Sequence, residues 1–423
     1  MTSAGAMTGQ QKVHRLVIVG GGAAGDAAAE AVRRAGFEGQ VLLIGADRHP
    51  AYHRPYLSKQ FLRDELPFER VFLHRPDVYE RLKVEWLAGR RAVAGSRPES
   101  SITLDDGRSL RFDALVLATG GSPRWPAEIP RADNVFSLRS LDDCLALKQA
   151  LAGSRRLLLI GAGFIGAEVA ASMRTRGRDV LVVERSAVPL RRALGDEMGE
   201  VYARMHREHG VDLRTGRAVA RWLKNGSGRV EAVELDDRAR EEIDVALVAV
   251  GIEPELALAR ELGLPLDSGG VLVDETLRAA PGIYCAGDIA AHLHPVFRRH
   301  LRVEHWQVAR RQGLTIGAAV AGQARPHQEL PWFWSDQYDV NLQYVGHAEG
   351  FDQAVWRGDR GSGHFSVFYL KEGLVEAVLA VNDARAIRFG RELIRQRHHV
   401  ASEVLTSEST DLGTLTVREE HTR

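Results

Sequence analysis

Cysteine is nearly absent from this chain. Only Cys144 and Cys285 occur among 423 residues, far apart and with no CxxC pair. That excludes a disulfide framework, a redox dithiol and the ligand spacing of an iron–sulfur cluster. Two lone thiols suit a reducing cytoplasm, the expected location. An excess of one charge is also missing: 56 Lys and Arg balance 56 Asp and Glu. No global field draws the chain to nucleic acid, so a charged partner must be met by a local patch. No stretch approaches the ~20 apolar residues of a membrane span. The first twelve residues, polar and small, lack the apolar run of a secretory signal.

What is plentiful is glycine, 42 residues, and its placement carries information. The segment 14–20 (HRLVIVG) reads as a buried parallel strand ending in glycine. An alanine-rich helix over 23–34 follows, closed by Gly36, and then a strand over 40–45. The same unit returns as a strand over 156–161, a small-residue helix from Phe164 and a strand over 179–184. Three further strand-and-glycine endings punctuate the chain: 114–121, 245–254 and 283–288. The spacing predicts an α/β fold with two Rossmann-like dinucleotide-binding domains, the second inserted in the first. The first domain spans 13–122 and 252–325, and the insert spans 123–251. After Pro326, aromatic and alternating residues predict an antiparallel sheet with a helix near 384–397, a C-terminal α+β domain over 326–400. Residues 401–423, rich in Ser, Thr and Glu, are expected to fray.

Each βαβ unit carries a GxGxxG. The first is Gly20, Gly22 and Gly25, with Ala23 and Ala24 between; the second is Gly161, Gly163 and Gly166, with Phe164 and Ile165. Such glycines serve a tight turn, the approach of a pyrophosphate and helix–strand packing, while the helix amides face the phosphates. Asp47 and Glu184 stand where an acidic residue accepts from a ribose hydroxyl. Glu184 favours NADH, although Arg185, Arg191 and Arg192 could hold the phosphate of NADPH. One such loop could be a plain strand–helix turn; two in matching context argue for two dinucleotides.

The order GxGxxG, ATG, GxGxxG, CAGD resembles the pyridine-nucleotide–disulfide oxidoreductase superfamily. The segments YHRPYLSK (52–59) and PWFWSDQY (331–338) are similar to the flavin-dependent reductases that feed bacterial oxygenase ferredoxins. NLQYVGH (341–347) also resembles the apoptosis-inducing-factor-like branch. Tyr56 departs from the usual proline, and Gln307 and Val308 from Asn-Ala. The likeness spans about 14–395.

The resemblance implies FAD on the first loop and NADH on the second. It implies a small 2Fe–2S ferredoxin as acceptor, with the chain a monomer or homodimer. Lys59 and Glu168 are the implied catalytic pair; the plain alternatives are a solvent-exposed lysine and a carboxylate suiting a helix dipole. Arg54, Ala92, Thr119, Gly120, Gly251 and Gly287 are implied cofactor contacts. Asp288 is implied at the ribityl chain or as a helix cap, and Glu304 near the nicotinamide. Trp332 and Trp334 stand either beside the flavin or in ordinary core. Cys285 reads as a small core residue.

His292, His294, His300 and His305 lie among Arg298, Arg299, Arg302, Arg310 and Arg311. The arginines argue against a metal. A solvated loop and a basic docking patch for an acidic partner both remain open. Without a cysteine before Cys144, a thiol-based NADH oxidase or peroxidase is disfavoured, and the missing dithiol rules out a disulfide reductase. An NADH-sensing flavoprotein is the remaining alternative to the ferredoxin reductase.

Overall fold

The computed structural model describes residues 13–267 and 269–416. The reading of the first twelve residues lies outside them. The chain opens with β1 (Arg15–Val19), α1 (Ala23–Arg34), β2 (Gln40–Gly45), β3 (Glu85–Ala88) and β4 (Ala114–Leu117). β1 runs parallel to both β2 and β4. Its core positions Leu16, Val17 and Ile18 have no solvent exposure. This is the continuous apolar run that a strand covered on both faces requires.

A second unit follows: β5 (Val135–Ser137), α2 (Leu141–Ala152), β6 (Arg156–Ile160), α3 (Phe164–Thr175), β7 (Asp179–Glu184), α4 (Asp196–Glu208), β8 (Asp212–Thr215) and β9 (Val245–Val248). Its sheet order is β8-β7-β6-β9-β5, all parallel. α2 starts at a capping box in which Ser140 and Asp143 satisfy each other's backbone amides.

The chain then returns. β10 (Arg278–Ala280) and β11 (Ile283–Cys285) extend the first sheet to β10-β11-β4-β1-β2-β3. The outgoing and returning connections, Gly121–Pro123 and Ile252–Pro254, pair antiparallel as a narrow ribbon. The hairpin β12 (Ala290–His294) and β13 (Arg299–Arg302) leads to α5 (Trp306–Val320). α5 packs tightly on α1. A Cβ on Gly313 or Gly317 would run into the carbonyl oxygens of Ala24 and Ala28, so glycine four residues apart lets the two helices approach.

A third unit is an antiparallel sheet of β14 (Trp332–Gln337), β15 (Val340–Gly346), β16 (Gln353–Asp359), β17 (His364–Lys371) and β18 (Leu374–Val381), ordered β14-β15-β18-β17-β16. α6 (Ala384–Gln396) covers one face and shares its core with β18. The other face packs on α4 through Tyr202 and Tyr344.

The expectation of fraying from Ala401 is overturned as far as the described chain runs. α7 (Ser402–Thr406) puts Leu405 at zero exposure, and Leu412 joins the same core. The Arg357 guanidinium donates to the carbonyls of Leu405, Ser407, Glu408 and Thr410. Two leucines and one distant arginine hold a segment whose composition reads as loose. Residues 417–423 lie outside the described chain.

Candidate functional site

Both glycine loops open into one cleft of about 1390 Å³. That exceeds the roughly 300–1,000 Å³ holding one drug-sized ligand, so two dinucleotide ends have room to meet. The loops are built alike. Gly20 (φ +116°) and Gly161 (φ +96°) turn the chain against the carbonyls of Ala118 and Ala249. A Cβ on Gly25 or Gly166 would fall on the carbonyl oxygen of the first glycine, so these two pack helix on strand. Over Gly22 and Gly163 a Cβ would meet no protein atom, which leaves both loops open to a phosphate. Ala23, Ala24, Phe164 and Ile165 line the cleft at the N-termini of α1 and α3, and Gly25 and Gly166 lie behind them.

The acidic residues Asp47 and Glu184 line the cleft and have partners. Asp47 accepts from the His49 amide at 3.0 Å and the Tyr52 hydroxyl at 2.8 Å. Glu184 accepts from the amides of Ala162 at 2.7 Å and Ser186 at 2.6 Å. Arg185 and Arg192 line the cleft beside it, Arg185 in an ion pair with Glu128 at 2.9 Å. Ala92, Thr119, Gly120, Gly251 and Gly287 complete the walls. Thr119 is anchored by its hydroxyl to the Glu255 carbonyl at 2.7 Å.

Where the three units meet, Lys59 Nζ lies 2.9 Å from Glu168 Oε1. Both residues are buried, at 2% and 5% exposure, and both line the cleft. The solvent-exposed alternative for Lys59 is thereby overturned. Burial of two charges is tolerated because they are paired and further bonded. Glu168 Oε1 also accepts from Ser335 at 2.8 Å and Oε2 from Ser58 at 2.5 Å.

Asp288, at the start of a short 3₁₀ turn, is ion-paired to Arg139. Nothing local in the sequence marks Arg139; it lies 149 positions from its partner. Burial, and then the charge of Arg54, lower Arg139 from its ordinary value. Arg54 and Arg139 share one cleft, an arrangement suited to an anionic ligand. Glu304 also lines it, held by Arg302 at 2.7 Å.

The tryptophans divide. Trp334 lines the cleft with Phe333, His305 and Trp306. Trp332 does not: it stacks on Trp334 at 5.4 Å and borders a separate cavity of about 160 Å³ with Arg391. The flavin-side expectation for Trp332 is corrected to packing behind Trp334. Both cysteines are buried thiols, and burial pushes Cys144 up to about 12.

The stretch 292–311 is also corrected. It is a paired hairpin and a helix, not a solvated loop. His292 and His294 are 2% exposed, and burial lowers each to about 4, so they carry no charge at neutral pH. Burial lowers His305 likewise, to about 4. Arg299, Arg302 and Arg310 have carboxylate partners. Only Arg298, His300 and Arg311 remain as exposed basic residues there, too few for the docking patch considered from the sequence. Among the described residues no group of three or more His, Cys, Asp or Glu could hold a metal, and no helix is long and apolar enough to cross a membrane.

The walls fit a polar ligand. The buried His305 Nδ1 and Trp306 Nε1 have no hydrogen-bond partner among the described residues, and both residues line the cleft. Buried polar atoms seldom stay unsatisfied, and here a bound molecule would meet them.

Comparison with known proteins agrees with this architecture. Residues 14–313 match the family model described as pyridine nucleotide-disulphide oxidoreductase, and residues 332–416 match one described as reductase C-terminal. The chain is 35% identical over 402 residues to putidaredoxin reductase of Pseudomonas putida, covering 94% of this chain and 95% of that one. It is 37% identical over 382 residues to the ferredoxin–NAD(+) reductase component of the anthranilate 1,2-dioxygenase system of Burkholderia cepacia, covering 90% and 93%. Among solved structures, the covalent putidaredoxin reductase–putidaredoxin complex superposes with TM-score 0.91 at 34% identity, covering 95% of this chain and 98% of that one. Two glycine cradles, a shared cleft and a matching third unit converge on one assignment: the chain belongs to the pyridine nucleotide-disulphide oxidoreductase family.

Proposed function

We propose that this chain is an FAD-dependent NADH:ferredoxin reductase, passing electrons to a small 2Fe–2S ferredoxin that serves an oxygenase. One observation carries the reading: both glycine cradles open into a single cleft whose meeting point is the buried Lys59–Glu168 pair. When bound, FAD would supply the redox chemistry, accepting one hydride, a two-electron unit, and releasing its electrons singly.

The chain's own residues do the rest. Gly20, Gly22 and the amides of α1 cradle the FAD pyrophosphate, with Asp47 at the ribose. Arg54, Arg139 and Asp288 line the wall nearby. Gly161, Gly163 and the start of α3 receive the nicotinamide dinucleotide, and Glu184 selects NADH by repelling a ribose phosphate. Lys59, fixed by Glu168, offers a positive charge where negative charge grows on reduction. Trp334, Phe333 and Trp306 exclude water from the cleft.

Two buried, unpaired thiols are compatible with work in a reducing cytoplasm. The names of the relatives, reductases of oxygenase systems, support the ferredoxin as acceptor. Anaerobic titration of the FAD-loaded protein with NADH and NADPH, then with a panel of 2Fe–2S ferredoxins and cytochrome c, tests this. The expected result is rapid bleaching by NADH and turnover with a ferredoxin. Failure of both nucleotides to bleach the flavin overturns the reading, and slow bleaching without ferredoxin turnover identifies an NADH sensor.

A further inference from the structure

Glu168 is more than one half of an ion pair. Three donors converge on it from two other units: Lys59 and Ser58 from the first, Ser335 from the third. Behind Ser335 the hydrogen bonding continues. Gln337 Nε2 lies 3.1 Å from Ser335 Oγ, His206 Nε2 lies 2.9 Å from Gln337 Oε1, and the Tyr338 hydroxyl lies 3.1 Å from His206 Nδ1. Ser335, Gln337 and His206 are each at most 2% exposed.

The direction of this chain follows from its end. A carboxylate only accepts, so Ser335 must donate to Glu168. The serine oxygen then accepts from the Gln337 amide group, and the Gln337 carbonyl needs a donor, which His206 Nε2–H supplies. Burial lowers His206 to about 4, so its ring is neutral and carries a single N–H. Its other nitrogen accepts from Tyr338. Every bond thus points toward Glu168, and aligned donors strengthen one another in a dry interior. Gln337 neither gains nor loses a proton in the working range, so the chain orients and does not conduct. The outer end is stacked: Tyr338 lies 3.6 Å from the exposed His209 ring, which fixes the hydroxyl that starts the series.

We propose that Ser335, Gln337 and His206 are positioning residues, a one-way series of donors through which the third unit and α4 hold Glu168 and so set the charge that Lys59 presents to the cleft. This inference rests on the functional reading above. Without the Ser335 donor, the negative charge of Glu168 bears more fully on Lys59, and the cleft becomes less hospitable to a group gaining electrons.

The test uses the full FAD-loaded chain and the variants Ser335→Ala, Ser335→Thr and Gln337→Met. Stopped-flow reduction gives the limiting rate and the NADH dissociation constant separately, and an equilibrium dye titration gives the flavin midpoint potential. Ser335→Ala is expected to lower the limiting rate roughly tenfold with unchanged NADH affinity. It is expected to lower the potential by roughly 30 mV, the two-electron equivalent of tenfold. Ser335→Thr restores both, and Gln337→Met shifts both in the same direction by less. Wild-type rate and potential in Ser335→Ala overturn the proposal, as does equal impairment in Ser335→Thr, which marks a packing role. If Ser335→Ala does not fold, an unchanged potential in Gln337→Met overturns it alone. If NADH fails to reduce the wild-type protein, the functional reading falls, and the potentials still decide this inference.

Discussion

Lys59 Nζ and Glu168 Oε1 stand 2.9 Å apart and join two units whose sequences are 109 positions distant. The pair is buried, so neither charge can turn to water when the other is removed. Lys59→Met or Glu168→Leu alone is expected to cost about 3–5 kcal/mol, because one charge is left uncompensated. The double variant is expected to recover most of that loss. Urea unfolding of the three variants measures it, and a double variant as unstable as the sum of the singles would show that the pair does not interact. Glu168→Ala is further expected to slow reduction by NADH more than it lowers FAD content.

Two histidines, His294 and His327, bind the first unit to the segment before β14, and the His292 ring packs against both. His292 and His294 face carbonyls of Glu275 and Glu329, and His327 bonds Thr315 at 2.9 Å. Burial lowers His292 and His294 to about 4 and His327 to about 3. The folded state thus binds fewer protons than the unfolded chain below pH ~6.5, and stability falls as pH drops from there toward 4. Each group contributes up to about 1.4 kcal/mol per pH unit across that window. Melting curves at pH 7 and pH 5 check the drop, and His327→Gln is expected to make it shallower.

Gly313 and Gly317 let α5 lie directly on the carbonyls of α1. Gly313→Ala is expected to destabilise by about 1–3 kcal/mol through overpacking. Because Ala24 lines the cleft, retained FAD is expected to fall as well. FAD content after gel filtration, with calorimetry, reads both effects.

Glu184 is bonded at both oxygens by backbone amides, so its charge is fixed in place. Glu184→Ala is expected to reduce the preference for NADH over NADPH by roughly tenfold or more, since repulsion of the extra phosphate is lost while Arg185 and Arg192 remain. Steady-state kcat/KM for the two nucleotides decides it.

Much of this architecture is legible in the residues. The apolar runs ending in glycine at Gly20, Gly45 and Gly161 mark strands that the structure draws within one residue, because a strand covered on both faces has no polar positions to hide. The resemblance implies the Lys59–Glu168 pair, and the two side chains are in contact. Other features leave no local mark. Arg139, Ser335, Gln337 and His206 matter through partners more than a hundred positions away. Trp332 and Trp334 look equivalent in PWFWSDQY, yet only Trp334 reaches the cleft. The histidines near 292 read as polar loop because a one-dimensional pattern cannot show that a hairpin is covered.

The paired connections Gly121–Pro123 and Ile252–Pro254 carry a last consequence. Adjacent antiparallel strands lie about 5 Å apart, so the second unit enters and leaves the first through neighbouring points. Such a unit behaves as a cassette. It can be exchanged for a homologous one without threading the remaining sheet, provided the replacement keeps Glu168 and the α4 face on which the other units pack. Swapping it between relatives offers a direct route to trading nucleotide preference while the first sheet and its glycine loop stay as they are.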